Sequence, residues 1–234
     1  MYYPAYTFSD RTARSAVYHI YDSLPEGRVV DSLDVPPFPG ASAGYASYQI
    51  SAGSGRILRG LNHVPFAPVP VWDVTPRGTL VSGDGRTYIL RETDRAGAVL
   101  HEYRRDVPPV LIPEAIRDDS LAALEARLDS VPVPFSQISG MPQDVIERRL
   151  PEAFPAYMAV YATPEDQVWV RRWTTEQGER SVFDVFNADG TLSHVVVLPR
   201  DIAAFPTPAL SRDGVAAVGI DPETGAHMVL RVKP

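Results

Sequence analysis

The sequence predicts an all-β fold assembled from repeated antiparallel meanders, on three observations. Short segments alternate apolar and polar residues with a period of two, which sends successive side chains to opposite faces of a sheet. The segments are punctuated by turns that end in Gly and by strands that stop at Pro, as in Asn187-Ala-Asp-Gly190 and Leu198-Pro199. The strand-turn-strand outline also recurs along the chain every roughly 40–45 residues, a spacing typical of propeller blades.

The first unit, Tyr2–Pro36, lacks an innermost strand. Tyr2–Ser9 reads as a strand beside Ser15–Asp22, and Leu24-Pro-Glu-Gly27 turns the chain into Arg28–Pro36. In residues 37–68 the candidates are Ala46–Ile50 and Gly55–Leu61. The second unit, Val69–Pro108, has all four strands: Val71–Thr75, Thr79–Ser82, Tyr88–Arg91 and Ala98–Tyr103, with turns at Pro76–Gly78 and Asp94–Gly97. The third, Pro155–Pro199, has Tyr157–Tyr161, Gln167–Arg171, Val182–Phe186 and Leu192–Leu198. The last, Pro206–Lys233, lacks an outer strand. Gly27, Gly97 and Gly190 are expected in tight turns, the last with positive φ.

Residues 112–150 break the pattern. Ile112–Ser130 predicts a helix, with Pro113 in its first turn and Leu121, Leu124 and Leu128 on one stripe. Met141–Leu150 reads as a shorter helix with Pro142 near its start, so helix is expected near 113–128 and 142–150. The expected organisation is one propeller-like domain over residues 1–234, about four to five blade units, with this helical insert inside it. The insert suits a lid or a partner-binding element, or a decoration whose leucines cover the sheets.

The units VWDVTPRGTLVSGDGRTYILRETDRAGAVL and VYATPEDQVWVRRWTTEQGERSVFDVFNADGTLSHVVVLP resemble blades of the bacterial six-bladed β-propeller proteins related to the NHL-repeat group. His63–Pro68 and the helical insert are similar to that group as well. The resemblance implies a partial or shortened propeller, and proteins of that group are mostly exported; the sequence itself leaves the compartment open. Its motifs are turn and strand signatures, so no catalytic residue carries over. Met1–Thr12 has no basic segment followed by an apolar one and does not read as a signal peptide.

Composition narrows the function classes. The formal net charge is −7, which argues against a nucleic-acid partner. No run approaches the roughly 18–20 apolar residues of a membrane helix, so no membrane span is expected. The chain has 0 Cys, which removes disulfides, thiolate nucleophiles and zinc–thiolate sites. The histidines His19, His63, His101, His194 and His227 fall in third strands, fourth strands and a connection (His63), not in one layer, so no metal site or cofactor is expected. Asn187–Gly190 lacks the remaining oxygen ligands of a calcium loop. Ser51–Gly55 lacks the Lys of a phosphate loop. No catalytic residue is assigned.

The candidate ligand-binding residues are Trp169, Arg171 and Trp173. Strand alternation puts all three on one side, where aromatics flanking a guanidinium suit a sugar, an aromatic ligand or a protein partner. The same pattern also fills the gap between neighbouring blades. The expected function is a non-enzymatic binding or scaffold module for a protein or small-molecule ligand. The alternative is a metal-dependent propeller hydrolase or lyase acting on a sugar or lactone. The incomplete end units lead to one further expectation, a homodimer that completes the ring through Tyr2, Tyr3 and Tyr6 at one end and Val229 and Val232 at the other.

Overall fold

The structure, a computed structural model, describes residues 2–5, 16–21, 29–35, 45–52, 56–129, 138–139, 150–173, 180–203, 207–221 and 223–233. Gly27, Tyr6 and the helix expected near 142–150 lie outside the described residues, apart from Leu150 itself. Within them the protein is mostly β, and every sheet is antiparallel. The chain divides into two compact units: residues 1–39, 70–107 and 156–234 in the first, and 40–69 and 108–155 in the second.

Among the described residues the first unit holds four meanders, each with its strands in chain order. One is β1 (Tyr2–Ala5), β2 (Ala16–Tyr21) and β3 (Val29–Val35). In the second unit, β4 (Tyr45–Ala52) and β5 (Arg56–His63) form a hairpin. The next meander of the first unit is β6 (Val71–Val74), β7 (Leu80–Gly83), β8 (Ile89–Thr93) and β9 (Val99–Arg104). The second unit then adds α1 (Glu114–Asp129) and β10 (Ile138–Ser139), which pairs with β4. The first unit ends with β11 (Tyr157–Ala162), β12 (Val168–Arg172), β13 (Val182–Phe186) and β14 (Leu192–Val197), then β15 (Ala209–Ser211), β16 (Gly214–Ile220) and β17 (His227–Val232).

Turn chemistry sets these boundaries. At Asn187–Gly190 the Gly190 amide donates to Asn187 O at 3.0 Å and the Asn187 amide to Thr191 O at 2.9 Å. Asp189 Oδ1 accepts from the Thr191 amide and hydroxyl, and Gly190 takes φ 85°. This is a hairpin turn with its left-handed glycine. Asp94–Gly97 repeats it, with Gly97 at φ 84°.

The sheet β11–β14 explains the packing. Its two inner strands β12 and β13 are buried almost throughout, β13 along its whole length. Alternation splits their side chains between two cores. Tyr157, Val160, Val168, Val170 and Phe186 meet Val81, Tyr88, Leu90 and Tyr103 of the β6–β9 sheet. Trp169, Phe183, Val185 and Leu198 meet Leu210, Val215 and Ala217 of the β15–β17 sheet, with Ile202 between. A sheet covered on both faces is apolar on both, so these strands read as near-continuous hydrophobic runs.

One expectation needs correction. His63 is the last residue of β5, not part of a connection, because the β4–β5 ladder runs out to the Tyr45–His63 pair. Of the two valines named for a second copy, Val232 packs partly buried against the core between the last two sheets, and Val229 on the same strand is 87% exposed. The approach to the last meander already contacts it: Ile202 bridges Gly219 and the Ala203 amide donates to Val218 O at 2.8 Å.

In the second unit, the amides of Ile116 and Arg117 donate to Pro113 O at 3.0 and 3.1 Å, so the proline opens α1. Among its described side chains Ile116, Arg117, Ser120 and Leu121 are half-buried. Leu111 bridges Ala153, Arg117 Nη1 donates to Pro151 O at 3.1 Å, and Phe66 meets Phe154 edge-on at 5.2 Å.

Candidate functional site

Trp169 and Arg171 do share one side of β12, but that side is an interior. Each is 3% exposed. Trp169 stands edge-on to Phe183 at 5.8 Å, in the core beneath the β15–β17 sheet. Arg171 Nη2 donates to Asp201 Oδ1 at 2.6 Å and to Ile202 O at 2.9 Å. Ser181 Oγ donates to the same carboxylate oxygen at 2.6 Å. Trp173 lies beyond the end of β12 and is half-buried. The three residues therefore do not make an exposed platform. The covering sheet turns the aromatic–guanidinium pattern into inter-sheet packing, with Arg171 tying β12 to the entry of the last meander.

Two further buried acids were not singled out from the sequence. Glu92 on β8 is held by Arg77 Nη2 at 3.0 and 3.2 Å, by Tyr103 Oη at 2.5 Å and by Thr79 Oγ1. It links the Pro76–Gly78 turn to the outer strands of its own sheet. Asp184 on β13 lies between two sheets. Tyr88 Oη donates to its Oδ2 at 2.5 Å, and Arg105 Nη1 donates to Oδ1. Arg172 Nε stands 3.6 Å from Oδ2. A signal for Asp184 was legible: a lone carboxylate inside an apolar strand, Val182-Phe-Asp-Val-Phe186, must find a cation when its face is buried, whereas Glu92 sits in the mixed run Arg91-Glu-Thr93 and carries no such signal.

The electrostatics follow the burial. The Tyr88 phenol is pushed well above its ordinary range, first by burial, then by the charge and hydrogen bond of Asp184. Tyr103 moves the same way, by burial and its bond to Glu92. Tyr157 and Tyr161 are raised by burial. Asp73 on β6 is also raised by burial, although amides of Ala162 and Val74 each donate to it at 2.8 Å. That first bond joins β6 to β11, the first strands of neighbouring sheets.

The three buried acids differ in charge balance. Glu92 faces Arg77, and Asp201 faces Arg171. Asp184 faces two arginines, Arg105 and Arg172, whose side chains are 27% and 24% exposed. Among the described residues no group of three or more His, Cys, Asp or Glu side chains is placed to hold a metal ion. His101, His194 and His227 stand on three separate outer strands. Among the described residues no helix is long and apolar enough to cross a membrane.

No protein-family model matches the chain. No curated protein matches it. Among solved structures it is similar to a protein of unknown function from Bacteroides caccae, with a TM-score of 0.33 and 11% identity over 99% of this chain and 72% of that one. That likeness is too slight to bear on fold or function.

Proposed function

We propose that the protein is a non-enzymatic binding module of β-propeller type. Support for the propeller comes from the sheet β11–β14, which buries one face against β6–β9 and the other against β15–β17. Blades of a propeller stack in this face-to-face way, each a four-stranded meander. The observation that carries the binding reading is the use of the buried acids. Glu92, Asp184 and Asp201 are each committed to an arginine and to hydroxyl donors. A carboxylate locked in this way cross-links strands and is badly placed to exchange protons with a substrate.

The test is a thermal-shift screen of sugars, lactones, organic acids and peptides, with product analysis on every hit. A compound that raises Tm and is recovered unchanged supports the module. Turnover of a hit, or a divalent ion retained at close to one per chain, would overturn it in favour of a metal-dependent hydrolase or lyase.

A further inference from the structure

We propose that Arg105 and Arg172 form a binding site for the carboxylate group of a small monoanionic ligand, held open by the buried Asp184. The proposal rests on the binding-module reading and names its ligand class. It begins from charge. Among the described residues Asp184 has two cationic partners, Arg105 and Arg172, two cations to one anion. Tyr88 is a neutral donor to Asp184. Among the described residues the cluster thus carries one net positive charge, whereas buried Glu92 is met by one arginine, Arg77.

The hydrogen bonds point the same way. A guanidinium has five N–H donors in a planar fork. Arg105 directs one nitrogen, Nη1, to Asp184. Arg172 makes no side-chain hydrogen bond to Asp184: its Nε is buried, 3.6 Å from Oδ2, and has no hydrogen-bond partner. Both side chains keep about a quarter of their surface in contact with solvent. An incoming anion can therefore meet the solvent-facing parts of two guanidinium side chains that are already partly desolvated, where a charge-assisted bond is stronger than in bulk water.

Position adds pre-organisation. Asp184 is fully buried in β13 and fixed by Tyr88, which immediately precedes β8. Arg105 follows β9, and Arg172 ends β12. The two forks come from different sheets and converge on one fixed carboxylate. The size of the excess charge selects the ligand. One carboxylate neutralises it, whereas a phosphate dianion overshoots it. Planar carboxylates also match the arginine fork in bidentate geometry.

The experiment compares acetate, benzoate and gluconate with chloride at matched ionic strength and neutral pH, using the full chain. Thermal shift and calorimetric titration are the readouts, and inorganic phosphate is a separate arm. At least one monocarboxylate is expected to raise Tm saturably, by about 3–5 °C at tenfold excess over its Kd. Arg172→Gln should abolish that shift with the far-ultraviolet spectrum unchanged. Should that variant fail to fold, Arg172→Lys keeps the charge but loses the fork, and should bind at least tenfold more weakly. No monocarboxylate response above chloride, a stronger response to phosphate, or wild-type binding by either variant would overturn the site. Loss of the site leaves the binding-module reading standing. Conversion of the bound acid to product would overturn that reading and leave the site intact.

Discussion

Gly83 ends β7 where the ring of Tyr157 closes over it. A Cβ at this position would lie 2.0 Å from Tyr157 Oη, 3.1 Å from its Cζ and 2.9 Å from Ile89 O. The tyrosine has little room to retreat. It is buried, its hydroxyl donates to Ile89 O at 3.0 Å, and its ring meets Tyr88 edge-on at 5.5 Å. Gly83→Ala should therefore force the ring outward. Overpacking costs about 1–3 kcal/mol, and loss of the hydroxyl's bond adds about 1 kcal/mol. The reduced freedom of the unfolded chain returns about 0.4–1 kcal/mol. The expected net loss is about 1–3.5 kcal/mol. Tyr157→Phe alone should cost about 1 kcal/mol for the hydrogen bond. Combined, the two changes should cost about 1–2 kcal/mol less than their sum, because the shortest contact disappears with the hydroxyl. Urea unfolding of the four proteins, followed by tryptophan fluorescence, measures this cycle. Additivity to within about 0.5 kcal/mol would refute the steric argument.

Three other outcomes are expected. Gly190→Ala should cost about 2–3 kcal/mol and Gly97→Ala about 1 kcal/mol. Both have positive φ, but only at Gly190 does a Cβ meet backbone, 2.8 Å from Glu102 O, so equal losses in urea unfolding would count against that contact. Arg171→Met should cost about 3–5 kcal/mol, because it strips the guanidinium from buried Asp201, and Arg212→Met at an exposed turn should change stability by less than about 0.5 kcal/mol. In alkali, Tyr88, Tyr103, Tyr157 and Tyr161 have folded-state pKa values raised above those of the unfolded chain. The fold then binds more protons than the unfolded chain above about pH 10, so stability must fall as pH rises through that range. Absorbance at the phenolate band should show these tyrosines ionising together with unfolding, and a single ordinary titration of all 11 tyrosines with the fold intact would contradict it.

The strands were legible because their signals are local. Asn187–Gly190 fixes a hairpin by itself, and the pairs Val182–Val197 and Phe186–Leu192 follow from it. Even the weak candidates within residues 37–68 became the β4–β5 hairpin. Strand β10 escaped because two residues carry no period. The site was harder to read for a different reason. Alternation correctly put Trp169 and Arg171 on one side of β12 but could not say that another sheet covers that side. The Asp184 cluster joins residues 96 and 79 positions apart, Tyr88 and Arg105 to Asp184. Pairing of that range depends on how sheets stack, and no short window of sequence records it.

Because both cores of the first unit's last three sheets run through β11–β14, loss of that sheet exposes two interfaces at once. The β15–β17 sheet contributes to one core, and its β17 edge carries the exposed Val229. Fraying should begin there: amides of β17 should exchange with deuterium at low protection, while those of β13 should exchange through unfolding of the whole stack. The middle sheet acts as the keystone of the cooperative unit, and the terminal sheet as a leaf that opens and recloses on it.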